Sequence, residues 1–186
     1  MSSIDTARRR TDSAHLHSPC HAIVLGAAGR VGSAFARRLS RDGYIVHADV
    51  PDPVSARAAI APVYLFDCAY EHGDPAGHVE RVVAHLARWR RYAAIFIPSS
   101  MWIGTDQSYG HAKLIVEELA AFYTGLGARV VTDRIGYFPG DGVEPNADDP
   151  MLHALVTGDG LYARVMARMV EHAAASPVSE PSSVPN

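Results

Sequence analysis

Short apolar runs alternate along the chain with segments in which apolar residues recur at helical spacing. The runs are AIVLG (22–26), YIVHAD (44–49), VYLFDCA (63–69), AAIFIP (93–98) and ARVVTDRI (128–135). They lack the polar alternation of strands with one solvated face, so they predict parallel strands covered on both faces. Alternation of such strands with helical segments predicts repeated βαβ units.

Four segments predict helices, because each carries apolar residues on one face. They are 30–42 (Val31, Ala34, Phe35 and Leu39), 78–91 (Val79, Val82, Val83 and Leu86), 109–124 (Ala112, Ile115, Val116, Leu119 and Tyr123) and 160–175 (Leu161, Val165, Met169 and His172). The last one follows all the predicted strands. We therefore expect an α/β fold, a doubly wound parallel sheet of five to six strands with a minimal C-terminal helical extension.

Composition narrows the class of protein. The 186 residues are 48% hydrophobic and 20% charged, which suits one globular domain. The net charge is −3 and the basic residues are scattered, so neither a nucleic acid nor a membrane surface is expected as a partner. Cys20 and Cys68 show no pairing pattern, and no apolar run suits a membrane span or a signal peptide. We expect a cytoplasmic protein.

The ends of the chain differ from its middle. Residues 1–19 are polar and aperiodic, and residues 176–186 are rich in Ser and Pro. Both segments predict disordered tails around a single domain at 20–175. His and Cys residues gather near the N-terminal tail, but no second ligand pair is spaced to match them, so no metal site is predicted.

The loop between the first predicted strand and helix has the sequence GAAGRVG, with glycines at Gly26, Gly29 and Gly32. A dinucleotide pyrophosphate approaches the N–H groups of a helix N-terminus most closely where no Cβ intervenes. Asp49 closes the second predicted strand 23 residues after Gly26, where a carboxylate would accept from ribose hydroxyls. The pattern indicates a dinucleotide site; the alternative is merely a tight strand-to-helix turn.

Tyr109 and Lys113 lie four residues apart on a predicted helix and therefore on one face. Lys113 is the only lysine of the chain, and with 8 tyrosines in 186 residues chance alone gives this spacing in roughly 4% of cases. A phenol of pKa about 10 is a slow acid or base at neutral pH unless a nearby cation favours the phenolate. The pair therefore predicts acid/base chemistry, against the alternative of a surface Tyr stacked on a Lys stem.

Two serines follow the strand at 93–98. Ser99 and Ser100 lie at its C-terminal end, the edge where open α/β sheets bind ligands. A hydroxyl there can hydrogen-bond a substrate oxygen, and the alternative for either serine is a loop or capping role.

Together these motifs resemble the short-chain dehydrogenase/reductase superfamily, in its extended or atypical branch of NAD-dependent epimerase/dehydratase-like proteins. The resemblance covers about residues 21–140. It rests on GAAGRVG, Asp49, FDCA (66–69), SSMWIG, YGHAK and RIGYFPG (134–140).

The resemblance implies a Rossmann-type fold and a bound nicotinamide dinucleotide. It implies Tyr109 as the acid/base, Lys113 as the ribose anchor and tuner of the phenol, and a hydroxyl from Ser99 or Ser100. The strand end favours Ser100 and the position of Gly104 favours Ser99. The implied cofactor-binding residues are Gly26, Ala28, Gly29, Arg30, Val31, Gly32, Asp49, Asp67, Cys68, Ala69 and Lys113.

The chain departs from the family's pattern in three places. Ser99 and Ser100 lie only ten and nine residues before Tyr109, a shorter spacing than is usual in the family. About 13 residues separate the second strand from VYLFDCA, so the usual third strand and its helix are missing and the sheet order should be 2-1-3-4-5. Only about 40 residues expected to be ordered follow Arg134, where extended members carry a substrate domain. The substrate pocket is therefore expected to be small, open or completed by another subunit.

These expectations lead to an oxidoreductase that acts on an alcohol or carbonyl of a small polar metabolite, a sugar or a biosynthetic intermediate. A non-redox dehydratase or cyclase using the same Tyr, and a silent dinucleotide-binding sensor or partner subunit, are the alternatives. Asp49, with no basic residue directly after it, favours NAD, whereas Arg30 leaves NADP possible.

A homodimer is also expected. The helix at 109–124 carries Leu114, Ala121 and Phe122 outside its sheet-facing stripe, and such an apolar surface must be covered. The resemblance implies dimers packed through this helix.

Overall fold

The computed structural model describes residues 19–50, 61–71, 73–104, 107–138 and 156–174. Both predicted tails lie outside these ranges apart from Pro19. Side chains are described as far as residue 170, so His172 of the last predicted helix is not among them.

Five parallel strands form the sheet. They are β1 (His21–Leu25), β2 (Ile45–Ala48), β3 (Val63–Asp67), β4 (Ala94–Ser100) and β5 (Val130–Ile135). The strand order is β2-β1-β3-β4-β5, as the missing third strand of the family pattern predicts. The order reverses between β1 and β3, and ligands of open α/β sheets bind in the crevice at such a point.

Four helices connect or follow the strands. They are α1 (Arg30–Arg41), α2 (Pro75–Leu86), α3 (Ser108–Gly125) and α4 (Gly158–Ala174), with a short 3₁₀ turn at Trp89–Arg91. All four predicted helices are present, and α2 shows the largest shift in bounds. It begins three residues early because Asp74 caps it, accepting from Gly77 N at 2.8 Å, and because Pro75 suits the first helical turn.

Alternate residues along each strand face two separate cores. On one face, Val24, Phe66 and Phe96 pack against α1 and α4. On the other, Ile23 and Ile95 belong to the core that receives α2 and α3. The sheet is therefore doubly wound, and both of its faces are buried as the uninterrupted apolar runs predict.

Two residues predicted on buried helical stripes are instead largely exposed. Ile115 of α3 is 48% exposed and Val83 of α2 is 40% exposed. Each lies beside the buried stripe rather than on it, because the stripe of α3 runs through Ala112, Val116 and Ala120. Within the described ranges, no helix has both the length and the hydropathy of a membrane-spanning segment.

Candidate active site

A cleft of about 730 Å³ opens at the C-terminal edge of the sheet, beside the point where the strand order reverses. It brings together the start of α1, the loop after β3, the end of β4 and the first turns of α3. Its lining residues are Ala28, Gly29, Arg30, Val31, Cys68, Tyr70, Pro98, Ser99, Ser100, Trp102, Tyr109, Lys113, Ile135 and Gly136. The glycine loop, both serines and the Tyr–Lys pair thus share one cavity.

The three glycines of the loop have different reasons to be glycine. Gly26 has a φ of +69°, and a Cβ there would lie 2.7 Å from the backbone of Ala69. A Cβ at Gly32 would collide with the carbonyl oxygen of Gly26. At Gly29 the nearest atom to a Cβ would be that same oxygen at 3.2 Å, and φ is −73°. Packing therefore requires Gly26 and Gly32, whereas Gly29 leaves open space on the cleft side.

The N-terminus of α1 suits an anionic group. Gly29 is its N-cap, no side chain caps it, and its first turn contains no acidic residue. The first N–H groups of a helix and its dipole attract anions. Arg30, the first residue of the helix, lines the same cleft. This cradle fits the pyrophosphate of a dinucleotide.

Asp49 follows β2 and holds the glycine loop. Its Oδ1 accepts from Gly26 N at 2.6 Å and from Ala27 N at 3.2 Å. Asp49 has a φ of +53°, which Asp and Asn tolerate better than other non-glycine residues. The exposed carboxylate therefore fixes the loop at the place where we expect ribose hydroxyls.

Tyr109 and Lys113 lie on one face of α3, as their spacing predicts. Lys113 Nζ lies 5.7 Å from the ring centroid of Tyr109 and 5.2 Å from that of Tyr70. The two tyrosine rings are perpendicular, with centroids 4.9 Å apart. Tyr70, which sequence reasoning missed, thus forms a wall of the cleft beside the predicted catalytic pair. Its only sequence signal is its place just after a strand end.

Lys113 is 4% exposed although it lines the cleft. Its Nζ donates to the carbonyl oxygen of Pro98 at 2.9 Å and lies 3.1 Å from Nε2 of His78. Burial lowers the pKa of Lys113 from 10.5 to about 8, because the charged form loses its hydration.

The carboxylate of Asp67, one of the predicted cofactor-binding residues, is not among the groups that line the cleft. The side chain is 0% exposed and pairs with Arg81 Nε at 3.2 Å and with His85 Nδ1 at 3.0 Å, both on α2. Burial by itself would raise the pKa of Asp67, but the hydrogen bond from His85 and the charge of Arg81 hold it below 3.8. Asp67 is a structural anion.

A buried polar cluster therefore connects Asp67 to Lys113. Arg81 bridges from Asp67 to His78, whose Nδ1 lies 2.8 Å from Arg81 Nη2, and His78 contacts Lys113. Sequence reasoning missed His78, Arg81 and His85. Their spacing of three and then four residues places them on one face of α2, and such a polar stripe in an otherwise apolar helix was the available signal.

The two serines have different partners. Ser99 donates to Glu117 Oε1 at 2.5 Å, and Arg134 holds both oxygens of the same carboxylate, at 2.9 and 2.7 Å. The pKa of Glu117 is lowered, chiefly by the hydrogen bond from Arg134. The Ser100 hydroxyl accepts from Trp102 N at 3.2 Å. The proton of Ser99 is thus committed to Glu117, whereas Ser100 keeps its proton for a ligand.

Cys68 and Ala69 complete the loop after β3. Cys68 lines the cleft, and burial raises the pKa of its thiol, so it is a neutral side chain there. Ala69 contributes its backbone, which lies against Gly26 and accepts from Arg81 through its carbonyl oxygen.

Comparisons with known proteins add evidence on the fold. Neither a protein-family model nor a curated protein matches this sequence. UDP-N-acetylglucosamine 4-epimerase from Bacillus cereus matches with a TM-score of 0.58 and 12% identity, over 84% of this chain and 75% of that one. The capsular polysaccharide assembling protein CapF from Staphylococcus aureus matches with a TM-score of 0.56 and 19% identity, over 86% and 50%.

A third solved structure, the GalE-like L-threonine dehydrogenase from Cupriavidus necator, matches with a TM-score of 0.54 and 16% identity, over 86% of this chain and 70% of that one. The chain thus spans between half and three quarters of the length of these three proteins. Together with the parallel sheet, these likenesses show that the chain has a Rossmann-type α/β fold.

Proposed function

We propose that the protein is a nicotinamide dinucleotide-dependent oxidoreductase that acts on an alcohol or carbonyl of a small polar metabolite, a sugar or a biosynthetic intermediate. The observation that carries the proposal is the shared cleft: Gly29, Ser100, Tyr109 and Lys113 all line one cavity of about 730 Å³. An anion cradle, a hydroxyl donor and a phenol beside a basic amine are the parts that this chemistry needs.

The residues present fit the dinucleotide. Its pyrophosphate would lie on the N–H groups at the start of α1, with Gly29 leaving room and Arg30 adjacent. Lys113 would donate to ribose hydroxyls deeper in the cleft. When bound, the nicotinamide supplies hydride transfer to or from carbon.

The protein's own residues would handle the proton. Tyr109 would give a proton to a carbonyl oxygen, or take one from an alcohol, because hydride movement alone leaves an unstable alkoxide or protonated carbonyl. Ser100 would donate a hydrogen bond to the same oxygen. Ser99 would act indirectly, since its proton is held by Glu117.

Tyr109→Phe tests this function. The change removes the proton-transfer group with almost no change in shape, so turnover should fall about 10²-fold or more while dinucleotide affinity stays unchanged. Turnover is followed by nicotinamide absorbance against a panel of alcohols and carbonyls. Tyr123→Phe is the matched control, because Tyr123 lies on the same helix but packs in the core of α2 and α3.

Two outcomes would redirect the proposal. Wild-type turnover in the Tyr109→Phe variant would eliminate Tyr109 as the acid/base. Dinucleotide binding without turnover of any substrate would favour a sensor or partner subunit. Substrate conversion detected by mass spectrometry without a change in nicotinamide absorbance would favour a dehydratase or cyclase.

Dinucleotide binding and the choice between NAD and NADP have their own test. Gly29→Val should abolish binding in calorimetry, because Gly29 lines the cleft. The circular dichroism spectrum should stay unchanged, since φ is −73° and a Cβ there would meet a single atom within 4 Å, the Gly26 carbonyl oxygen at 3.2 Å. We propose that NAD binds more tightly than NADP, because the charge of Asp49 repels a 2′-phosphate. Asp49→Asn keeps an oxygen for the loop N–H groups but removes the negative charge. It should therefore reduce the difference in affinity between NAD and NADP. Tighter binding of NADP to the wild-type protein would assign the choice to Arg30.

We also propose a homodimer through α3, whose outer face exposes Leu114 (40%), Ile115 (48%) and Phe122 (63%). Burying these side chains against a second copy would remove large apolar groups from water. Light scattering at micromolar concentration should show a dimer, and Phe122→Glu should dissociate it. A monomeric wild-type protein would refute this part of the proposal.

A further inference from the structure

Behind the cleft, the imidazole of His78 lies between two basic side chains. Its Nε2 is 3.1 Å from Lys113 Nζ and its Nδ1 is 2.8 Å from Arg81 Nη2. The residue is 1% exposed, so these two groups are the partners of its two nitrogens. The arrangement raises the question of which group donates in each contact.

A count of hydrogens answers it for Arg81. A guanidinium only donates and keeps its charge at every accessible pH. Its Nε faces Asp67, and one hydrogen of Nη2 serves the carbonyl oxygen of Ala69. The other hydrogen of Nη2 points to His78 Nδ1, which must therefore be the acceptor.

That assignment fixes the rest of the ring. The pKa of His78 falls from 6.5 to about 3, because burial penalises the charged ring and Lys113 and Arg81 repel it, so the imidazole is neutral at physiological pH. A neutral imidazole has one acceptor nitrogen and one N–H. Since Nδ1 accepts from Arg81, the proton resides on Nε2 and faces Lys113.

An ammonium group has three donors and no acceptor, so it cannot receive this N–H. A neutral amine has a lone pair that can. We propose that His78 is a positioning residue that stabilises the neutral-amine form of Lys113 relative to the ammonium form in the ligand-free protein, with His78 Nε2–H donating to Lys113 Nζ.

The charges around Lys113 support this state. The groups that face it are Asp67, Cys68 and Tyr70 from β3 and the loop after it, His78 and Arg81 from α2, and Tyr109 from its own helix. Asp67 and Arg81 neutralise each other, and the thiol is uncharged. A lysine ammonium would add an unbalanced charge to a buried cluster, and burial lowers the pKa of Lys113 to about 8.

The neutral amine still has two N–H groups. One donates to the Pro98 carbonyl oxygen, and the other remains for the cleft. Protonation of Lys113 requires His78 to move its proton to Nδ1 and give up Arg81. The charge that Lys113 presents to Tyr109 is therefore linked to the Arg81–His78 contact; its bearing on catalysis rests on the function proposed above.

The experiment uses the fact that Lys113 is the only lysine. Lysine labelled with ¹³C at Cε gives one side-chain resonance, and its shift against pH reports the pKa of Lys113 in the full chain without cofactor or substrate. The wild-type midpoint should lie at about 8. His78→Phe removes the N–H that stabilises the amine, so the midpoint should rise by about one pH unit. His85→Phe makes the same change two turns away on the same helix, beside Asp67, and should leave the midpoint in place.

Two results of this titration would contradict the proposal. If burial alone sets the pKa, the more apolar Phe at position 78 leaves the midpoint unchanged or lowers it, and the proposal is wrong. An ordinary wild-type midpoint near 10.5 would overturn it as well.

A second measurement needs no variant and decides the matter if His78→Phe fails to fold. The ¹⁵N shifts of the His78 ring in the wild-type protein at pH 9.5, where the amine form predominates, should show a protonated Nε2 and an unprotonated Nδ1. A proton on Nδ1 would mean that Lys113 donates, which contradicts the proposal. Neither the ¹³C titration nor the ¹⁵N measurement involves turnover. The proposed function can therefore fail while this inference holds, and this inference can fail while the proposed function holds.

Discussion

The two faces of the sheet pack against cores of different composition. Against α1 and α4 lies an aromatic core: the ring of Phe35 is 5.0 Å from Phe96, 5.4 Å from Phe66 and 5.5 Å from Tyr162 between centroids. Against α2 and α3 an aliphatic core is joined by the buried cluster that runs from Asp67 to Lys113. The second face therefore holds buried charged side chains whose protonation state can change, namely those of Asp67, His78, His85 and Lys113.

The proposed acid/base chemistry belongs to only one of these two faces. Tyr109 and Lys113 project from α3, so the face with the buried charges is also the face that carries the proposed acid/base pair. The aromatic face supports the other half of the cleft, where α1 begins. Binding of an anion therefore needs only a rigid loop, while acid/base chemistry needs a neighbourhood that sets protonation states.

The largest effect on stability is expected from a substitution in the aromatic core. Phe35 is 0% exposed, so Phe35→Ala leaves a cavity and should cost about 3–5 kcal/mol in urea unfolding. The ¹³C titration of Lys113 should not change, because no aromatic contact of Phe35 reaches α2 or α3. Phe35→Leu, a milder change, keeps enough stability for that titration. A shifted Lys113 pKa in this variant would show that the two faces are coupled.

The next effect belongs to the polar face and depends on pH. In the unfolded chain His78 takes up a proton near pH 6.5, whereas in the folded protein it does so at about 3. The unfolded state binds more protons between these values, so stability falls as pH drops from 6.5 toward 3. One such group costs about 1.4 kcal/mol per pH unit, or about 2 kcal/mol between pH 6.5 and 5.

Urea unfolding at pH 7 and pH 5 measures this loss. The wild-type protein should lose about 2 kcal/mol more than His78→Phe, since the other histidines contribute to both and cancel in the difference. Equal losses in the two proteins would show that His78 is protonated in the folded state.

The same contrast explains what the sequence could and could not predict. The strands and the helices follow from apolar runs and periodicity, which depend on local neighbours. The strand order follows instead from the resemblance to the short-chain dehydrogenase/reductase pattern, with its third strand missing. The i, i+4 spacing of Tyr109 and Lys113 is local too. From the sequence, Asp67 at a strand end resembles a ligand-binding carboxylate. Only the packing of α2 against the sheet shows that Arg81 and His85 pair with that carboxylate.

The smallest expected effect compares two neighbours that point to opposite faces. Ser99 donates to Glu117 on α3, and Ser100, one residue later, keeps its proton for the cleft. Ser99→Ala loses one hydrogen bond while Glu117 stays paired with Arg134, so stability should fall by about 1 kcal/mol with little change in turnover. Ser100→Ala should lower turnover about tenfold, which corresponds to about 1.4 kcal/mol in the barrier, and change stability less. Urea unfolding and the absorbance assay on both variants measure the two effects. The reverse pattern, with turnover lost in Ser99→Ala, would mean that Ser99 leaves Glu117 when substrate binds and that the polar face supplies the whole catalytic set.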